Sequence, residues 1–418
     1  MRILLVHKFL KLTGGADVFY REVGRVLRDN GHEVHFLSTG SEDEIPWTDG
    51  LTRDQVTLID APAYTNASTL EKVRNIPRII WSNAAKDEAR RVIEEFQPDL
   101  MHVFAVHVHL SPSVLAAAKE VNIPTVMTCN DYKHICPNYK LFHHNKICFD
   151  CKSGNYFNAV RNKCAKHNLP FSVASALEAY VHRRLDIYSK YVDHFTFSAD
   201  FMARVTQEFW PDTKFSWSKL LNPFDSREFT ASDASDDYGL YFGRLADEKG
   251  VDILIEAAAK VDSFPIKIVG SGPYEATLRQ KADELNLGNV EFLGPLWEDE
   301  LTPILSRARF VVVPSIWHEN FPYVINQSFA LGRPVIGANR GGIPELVTDG
   351  ERGVVYDAHD VDALAAAMRK LAKDPELARE MGSAAKTWSD ATFVDDVFYE
   401  ALLYAYERAR NAHLGIGR

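Results

Sequence analysis

Glu319 and Gln327 stand eight residues apart in the run IWHENFPYVINQSFALG. The first is a carboxylate that accepts hydrogen bonds from sugar hydroxyls, and the second an amide that both donates and accepts. A plain role fits them as well, with Glu319 capping a helix and Gln327 facing solvent. In GRLADEKG, Arg244 follows Gly243 and Lys249 precedes Gly250. An arginine fork and a lysine ammonium at one strand end make a clamp for a diphosphate, although Asp247 and Glu248 beside them also suit a solvated basic turn. Gly14 and Gly15 join an apolar run to a helical pattern, where a backbone without Cβ admits a ligand and a helix N-terminus favours an anion. A tight connection reads the same way. In MHVFAVHVHLSP, His102, His107 and His109 are candidates for proton transfer, and a histidine in an apolar run is as readily a core residue. Five cysteines fall between residues 129 and 164, and Cys136, Cys148, Cys151 and Cys164 enclose one Cys-x2-Cys pair. That spacing suits a tetrahedral thiolate site, with structural zinc the expected metal and an iron–sulfur cluster or plain thiols the alternatives. His134, His143, His144 or His167 can replace one sulfur.

Those residues need a scaffold, and the apolar pattern supplies two. RILLVHKF reads as a buried strand, GADVFYREVGRVLRDNG as a helix and HEVHFLST as the next strand, a unit that implies a parallel sheet. DLMHVFAV and PTVMTCND continue it around the helix SPSVLAAAKEVN. After Asn222-Pro223 and a polar stretch the pattern restarts at YGLYFGRL and runs through VDILIEAAAKV, IKIVGSG, VEFLG, FVVVPS and PVIGANRGG. Two doubly wound α/β domains follow, each expected to bind ligands beyond the carboxyl ends of its strands. FVVVPS being a strand, IWHENFPYV becomes the loop at its carboxyl end. The final run FVDDVFYEALLYAYERARNAHLG is one amphipathic helix.

Length agrees: 418 residues exceed what one core usually supports. With 46% hydrophobic and 25% charged residues the chain is an ordinary globular protein, and a formal charge of −10 argues against nucleic acid. The apolar N-terminal run is too short for a signal peptide and no segment reaches the ~20 apolar residues of a membrane span. A cytoplasmic protein is expected, with peripheral membrane contact where a substrate is lipid-borne.

YFGRLADEKGVDILIEA, IKIVGSGP, VEFLG, VVPSIWHENFPYVINQSFALGRPVIGANRGGIPELV and GVVYDAHDVDALAAAM, taken in order, resemble the nucleotide-sugar domain of retaining glycosyltransferases of family 4. GGADVFYREVGRVLRDNGHEV and FQPDLMHVF resemble that family's acceptor domain. The resemblance implies a GT-B fold: two doubly wound parallel-sheet (Rossmann-like) domains facing a central cleft, with the C-terminal helix crossing back to the N-terminal domain. The expected division is an acceptor domain over 1–222 with a cysteine-rich insertion at 134–168, a donor domain over 223–392 and a returning helix over 393–418. It further implies a nucleotide-diphosphate sugar as donor, a glycan or lipid-linked glycan as acceptor, and no catalytic metal. Arg244 and Lys249 match the pair that binds the donor diphosphate, and Gly15, next to Gly14, the loop that closes over it. Glu319 matches the first acid of a Glu-x7-Glu element that contacts the transferred sugar. Asn320, Phe321, Pro322, Tyr323 and Val324 match the loop after it, with Pro322 in place of the usual glycine. Gln327 stands where the family has its second acid. Gly243, Gly270 and Ser271 fall in the matched strand-end turns. Phe104 and Asn130 occupy positions where relatives often carry histidine, so His102, His107 and His109 all stay candidates, His109 being the one carried forward as catalytic. Some relatives carry a similar cysteine-rich insertion. The alternatives are a non-catalytic nucleotide-sugar-binding protein of this fold and a nucleotide-sugar epimerase.

Overall fold

The structure, a computed structural model, describes residues 1–11, 14–48, 50–59, 74–232, 234–261 and 263–416. The chain divides into two compact units: Met1–Leu141, Phe149–Pro223 and Phe398–Arg418 form the first, and Phe142–Cys148 with Phe224–Val397 the second.

Both sheets are wholly parallel. In the first unit β1 (Arg2–Phe9), β2 (Glu33–Thr39), β3 (Val56–Ile59), β4 (Leu100–Val103), β5 (Thr125–Cys129), β8 (His194–Phe197) and β9 (Trp217–Lys219) lie in the order β3-β2-β1-β4-β5-β8-β9. The short strands β6 (Phe142–His143) and β7 (Lys146–Ile147) form an antiparallel hairpin. In the second unit β10 (Gly239–Phe242), β11 (Ile266–Val269), β12 (Val290–Gly294), β13 (Phe310–Val313), β14 (Val335–Ala338) and β15 (Gly353–Tyr356) lie in the order β12-β11-β10-β13-β14-β15. Ile3–Val6 and Phe310–Val313 are buried throughout, as strands covered by helices on both faces must be. Strand order reverses between β1 and β4 in the first sheet and between β10 and β13 in the second. A crevice opens at each such point beyond the strands' carboxyl ends.

The helix Gly15–Asp29 covers one face of the first sheet, where Phe19, Tyr20 and Val23 join Ile3 and Leu5 in one core. The helix Asp395–His413 adds Phe398, Leu402, Tyr406 and Ala409 to that core, so the chain's last helix packs in the first unit. A polar chain runs through it. His102 Nδ1 meets Tyr406 Oη at 3.0 Å, its Nε2 meets Thr128 Oγ1 at 2.7 Å, and Thr128 meets Thr196 at 2.6 Å. His102 is thereby a core residue tying β4, β5, β8 and the last helix together.

Candidate functional site

In the second unit four loops converge beyond the strands' carboxyl ends. Gly243 N–H donates to Val269 O (3.0 Å) and Leu245 N–H to Ser271 O (2.9 Å), locking the turns after β10 and β11 to each other, with Gly270 between them. Gly250, with φ of 66°, starts the helix Val251–Ala258 against the loop after β13; a Cβ there would stand 2.1 Å from Pro314 O. Gly341, with φ of 58°, brings the loop after β14 against Glu319, whose carbonyl a Cβ would meet at 2.1 Å. Gly342 N–H then donates to Glu319 O at 2.7 Å. Only residues without side chains let these backbones approach so closely.

Lys249 and Glu319 meet in this frame. Lys249 Nζ donates to Glu319 Oε1 at 2.6 Å and Ser315 Oγ donates to the same oxygen at 2.7 Å. Lys249 also stands 5.4 Å from the centroid of the Trp317 ring. Burial pushes the Glu319 carboxyl up, but the Lys249 charge and the hydrogen bonds from Lys249 and Ser315 outweigh it and hold the group below the usual carboxylate range. Glu319 is therefore an ionised buried acid held by two side chains, not a helix cap. Arg244 Nη2 donates to Glu248 Oε1 at 2.5 Å, and its side chain is 59% exposed. The clamp residues thus differ: Lys249 is engaged by the acid and Arg244 lies open to an incoming anion. Arg340, after β14, adds a second guanidinium whose charge, after burial, helps bring the His318 imidazole down to about 4.

Asn320, Phe321 and Pro322 complete the loop, with Phe321 packed edge-on against Phe393 at 5.7 Å between centroids. Pro322 precedes the helix Tyr323–Ala330, which carries Val324 and a half-buried Gln327. The Gln327 side chain makes no hydrogen bond among the described residues, in contrast with Glu319. Next to it, Asn326 is fully buried and both of its amide atoms lack a partner among the described residues.

In the first unit Gly14 caps the helix Gly15–Asp29 in an extended conformation, its carbonyl accepting from Asp17 and Val18 N–H groups. His109 lies at that sheet's reversal point, its ring 4.6 Å from Phe9 at the end of β1. Burial first, then the charges of Lys8 and Lys11, bring its imidazole down to about 4, so it is neutral at pH 7 and a weak base. His107 is buried against Tyr188 Oη at 3.3 Å.

The zinc expectation is corrected. Among the described residues no group of three or more His, Cys, Asp or Glu side chains can hold a metal ion. Cys136 donates to Asn138 Oδ1 at 3.0 Å and its thiol is pushed up by burial; Cys151 is in the first unit's core with Cys164 packed against it, while Cys148 belongs to the segment grouped with the second unit. His134 is taken by Thr206 Oγ1 at 2.8 Å. The donor set fits neither zinc nor an iron–sulfur cluster. The chain's Asp-x-Asp run is likewise spent elsewhere: Asp360 caps the helix Val361–Lys373 through Ala363 N–H, and Asp362 binds Lys260 at 2.6 Å.

Sequence reasoning missed several residues. Ser315 stands four positions before Glu319 on the loop already singled out. Gly341-Gly342 lay inside a quoted motif without a role. The buried His7–Asp17 pair, 2.8 Å apart, ties the end of β1 to the first helix; a histidine at a strand end followed by an acid just inside the next helix was its only signal.

Residues 13–213 match the model for Glycosyltransferase Family 4 and residues 224–388 that for Glycosyl transferases group 1. The chain is 37% identical over 175 residues to a D-inositol 3-phosphate glycosyltransferase of Mycolicibacterium paratuberculosis, covering 40% of this chain and 40% of that one. It is 30% identical over 164 residues, 39% of this chain and 46% of the relative, to an uncharacterized glycosyltransferase of Methanocaldococcus jannaschii. The chain thus spans less than half the length of the curated relatives it matches. Among solved structures, Anabaena HepE in complex with UDP overlays 97% of this chain and 100% of its own at a TM-score of 0.68 and 17% identity. Sucrose-phosphate synthase of Thermosynechococcus elongatus overlays 98% of this chain and 99% of its own at 0.70 and 17%. With a family 4 half followed by a group 1 half, the chain is built on the two-domain GT-B glycosyltransferase fold.

Proposed function

We propose that the chain is a retaining glycosyltransferase that moves a hexose from a nucleotide-diphosphate sugar to a glycan or lipid-linked glycan acceptor. The observation that carries this reading is the buried, ionised Glu319 held by Lys249, with the exposed Arg244 on the same strand-end edge. A diphosphate arriving there meets the Arg244 guanidinium and the Lys249 ammonium, and Glu319 accepts hydroxyls of the sugar. Glu319 Oε1 already takes two hydrogen bonds, so its other oxygen is the one offered to the sugar. Gln327 accepts and donates to a ribose diol without charge assistance. Gly243, Gly270, Ser271, Asn320, Phe321, Pro322, Tyr323 and Val324 shape the walls.

In the reaction the bond from the anomeric carbon to the diphosphate oxygen breaks and a bond to the acceptor oxygen forms on the same face. The acceptor's proton passes to the departing phosphate oxygen, and no protein nucleophile takes part. The charge that develops on the leaving group is met by Arg244, Lys249 and backbone N–H groups, where one such donor is worth roughly 3 kcal/mol. We assign His109, neutral at pH 7, to orienting the acceptor hydroxyl through a hydrogen bond, while the proton goes to the phosphate oxygen. The reading is supported by the Anabaena HepE complexes with UDP, with UDP and glucose, and with UDP-glucose, and by relatives named glycosyltransferases of phosphorylated and lipid-linked inositol. The location that goes with this reading is the cytoplasm, at a membrane face where the acceptor is lipid-linked. Replacing Lys249 with Ala is expected to lower donor turnover at least about tenfold, with proton NMR showing retained anomeric configuration in the wild-type product. Unchanged turnover would sink the Lys249 assignment, and inversion would sink the same-face pathway.

A further inference from the structure

The helix Leu169–Arg184 in the first unit is built inside out. Its buried positions include Ser172, Glu178 and His182. Glu178 Oε2 accepts from Lys133 Nζ at 2.6 Å, and His182 Nε2 meets Ile80 O at 2.8 Å. Its solvent side carries Leu169, Val173, Leu177 and Tyr180, which are 48%, 46%, 47% and 41% exposed. At 3.6 residues per turn these four fall within an arc of roughly 80° and run roughly 16 Å along the axis. A surface helix ordinarily turns its polar side outward. Phe157, 61% exposed, extends the patch, since its N–H donates to Tyr180 Oη at 3.0 Å.

The charge around the stripe is as uneven as its polarity. Residues 151–177 contain Lys152, Arg161, Lys163 and Lys166 and no Asp or Glu, in a chain with a formal charge of −10. Lys152 is paired with Glu208 at 2.7 Å. Lys166 stands over the Phe171 ring at 5.2 Å, beside the start of the stripe, and the exposed Arg184 closes its far end. Among the described residues no helix is long and apolar enough to cross a membrane.

We propose that this face docks the protein on an anionic lipid surface, with the apolar stripe entering the headgroup boundary and the flanking lysines and arginines meeting lipid phosphates. A bilayer fits better than a folded partner because the exposed stripe offers almost no polar group for a protein rim to pair, while Lys152, Arg161, Lys163, Lys166, Arg183 and Arg184 around it outnumber the acids Asp150, Asp186 and Glu208. Docking is independent of the donor chemistry, so it can fail or hold without the proposed function doing so.

The test is co-sedimentation of the full chain with phosphatidylcholine vesicles, with and without phosphatidylglycerol. Binding is expected with phosphatidylglycerol, weakening as salt screens the basic flank. The double variant Val173→Glu, Leu177→Glu is expected to weaken it at least about tenfold, since both like charge and lost apolar contact oppose docking. Both positions are exposed, so an unchanged melting transition verifies the fold. No binding to either vesicle, or binding that the double variant leaves intact, overturns the proposal. So does self-association in sedimentation velocity that the double variant abolishes, which would make the stripe an interface between copies.

Discussion

Replacing Lys249 with Ala tests the electrostatic core of the site without any substrate. In the pair, the Glu319 side chain is 7% exposed and the Lys249 side chain 24%. Without Lys249 the buried carboxylate loses its countercharge and keeps only neutral donors, Ser315 Oγ and Trp317. Removing one partner of a buried pair costs about 3–5 kcal/mol, and the partial exposure of Lys249 points to the lower end, about 3 kcal/mol. The pH dependence has a definite sign. In the wild type Glu319 sits below the ordinary carboxylate range, so its contribution is present at neutral pH and is lost as pH falls through that lowered value. In the variant burial acts without Lys249 to oppose it, and the folded-state value rises above the unfolded one. The deficit is then largest near pH 7 and closes as pH falls and Glu319 takes up a proton. Urea unfolding of the wild type, Lys249→Ala, Glu319→Gln and the double variant at about pH 7 and about pH 5 measures this as a cycle. Glu319→Gln should restore much of what Lys249→Ala loses, because an amide needs no countercharge. A loss under about 1 kcal/mol, flat with pH, is what an exposed pair gives and would refute the description of the site.

Other consequences are open to measurement. Burial lowers His102 and His134 to about 3 and His194 to about 4. Their unfolded forms titrate near 6.5 and bind more protons than the folded forms below it, so the first unit should lose up to ~1.4 kcal/mol per pH unit for each as pH drops; denaturation at pH 7 and at about pH 5.5 with equal midpoints would contradict this. Asn326→Leu should stabilise the second unit by about 1 kcal/mol, since it removes two buried amide atoms without partners; a loss of stability would show that the amide is satisfied after all. His109→Gln should cut transfer at least about tenfold with little effect on melting, and equal rates would remove His109 from the proposed chemistry.

What was legible in the sequence followed from pattern. The runs YGLYFGRL and FVVVPS could only be strands buried on both faces, so the loops that follow them, with Arg244, Lys249 and Glu319, had to gather beyond one sheet edge. What escaped depends on contacts between distant residues. Glu319 as a cap and Glu319 as a partner of Lys249 look alike until the fold brings together residues 70 positions apart. The cysteine spacing implied a metal because the gaps suit one, yet among the described residues no cluster of three or more metal-ligating side chains forms, which no spacing in sequence can reveal. The short strands His194–Phe197 and Trp217–Lys219 have too few residues to show a period. The helix Leu169–Arg184 carries apolar residues all around, so its sequence alone does not tell which side meets water.

The central claim, a donor diphosphate site on the second sheet's edge, is tested most directly by thermal melting with UDP, GDP and ADP and their sugar conjugates, for the wild type and for Arg244→Ala. Arg244 is 59% exposed on its side chain but pairs with the buried Glu248, so each shift is read against the same variant's ligand-free melting temperature. A ligand that binds only the native state raises its melting temperature. One nucleotide series should do so in the wild type and fail to do so in the variant. A shift that persists undiminished in Arg244→Ala, or no shift with any nucleotide, would contradict the account.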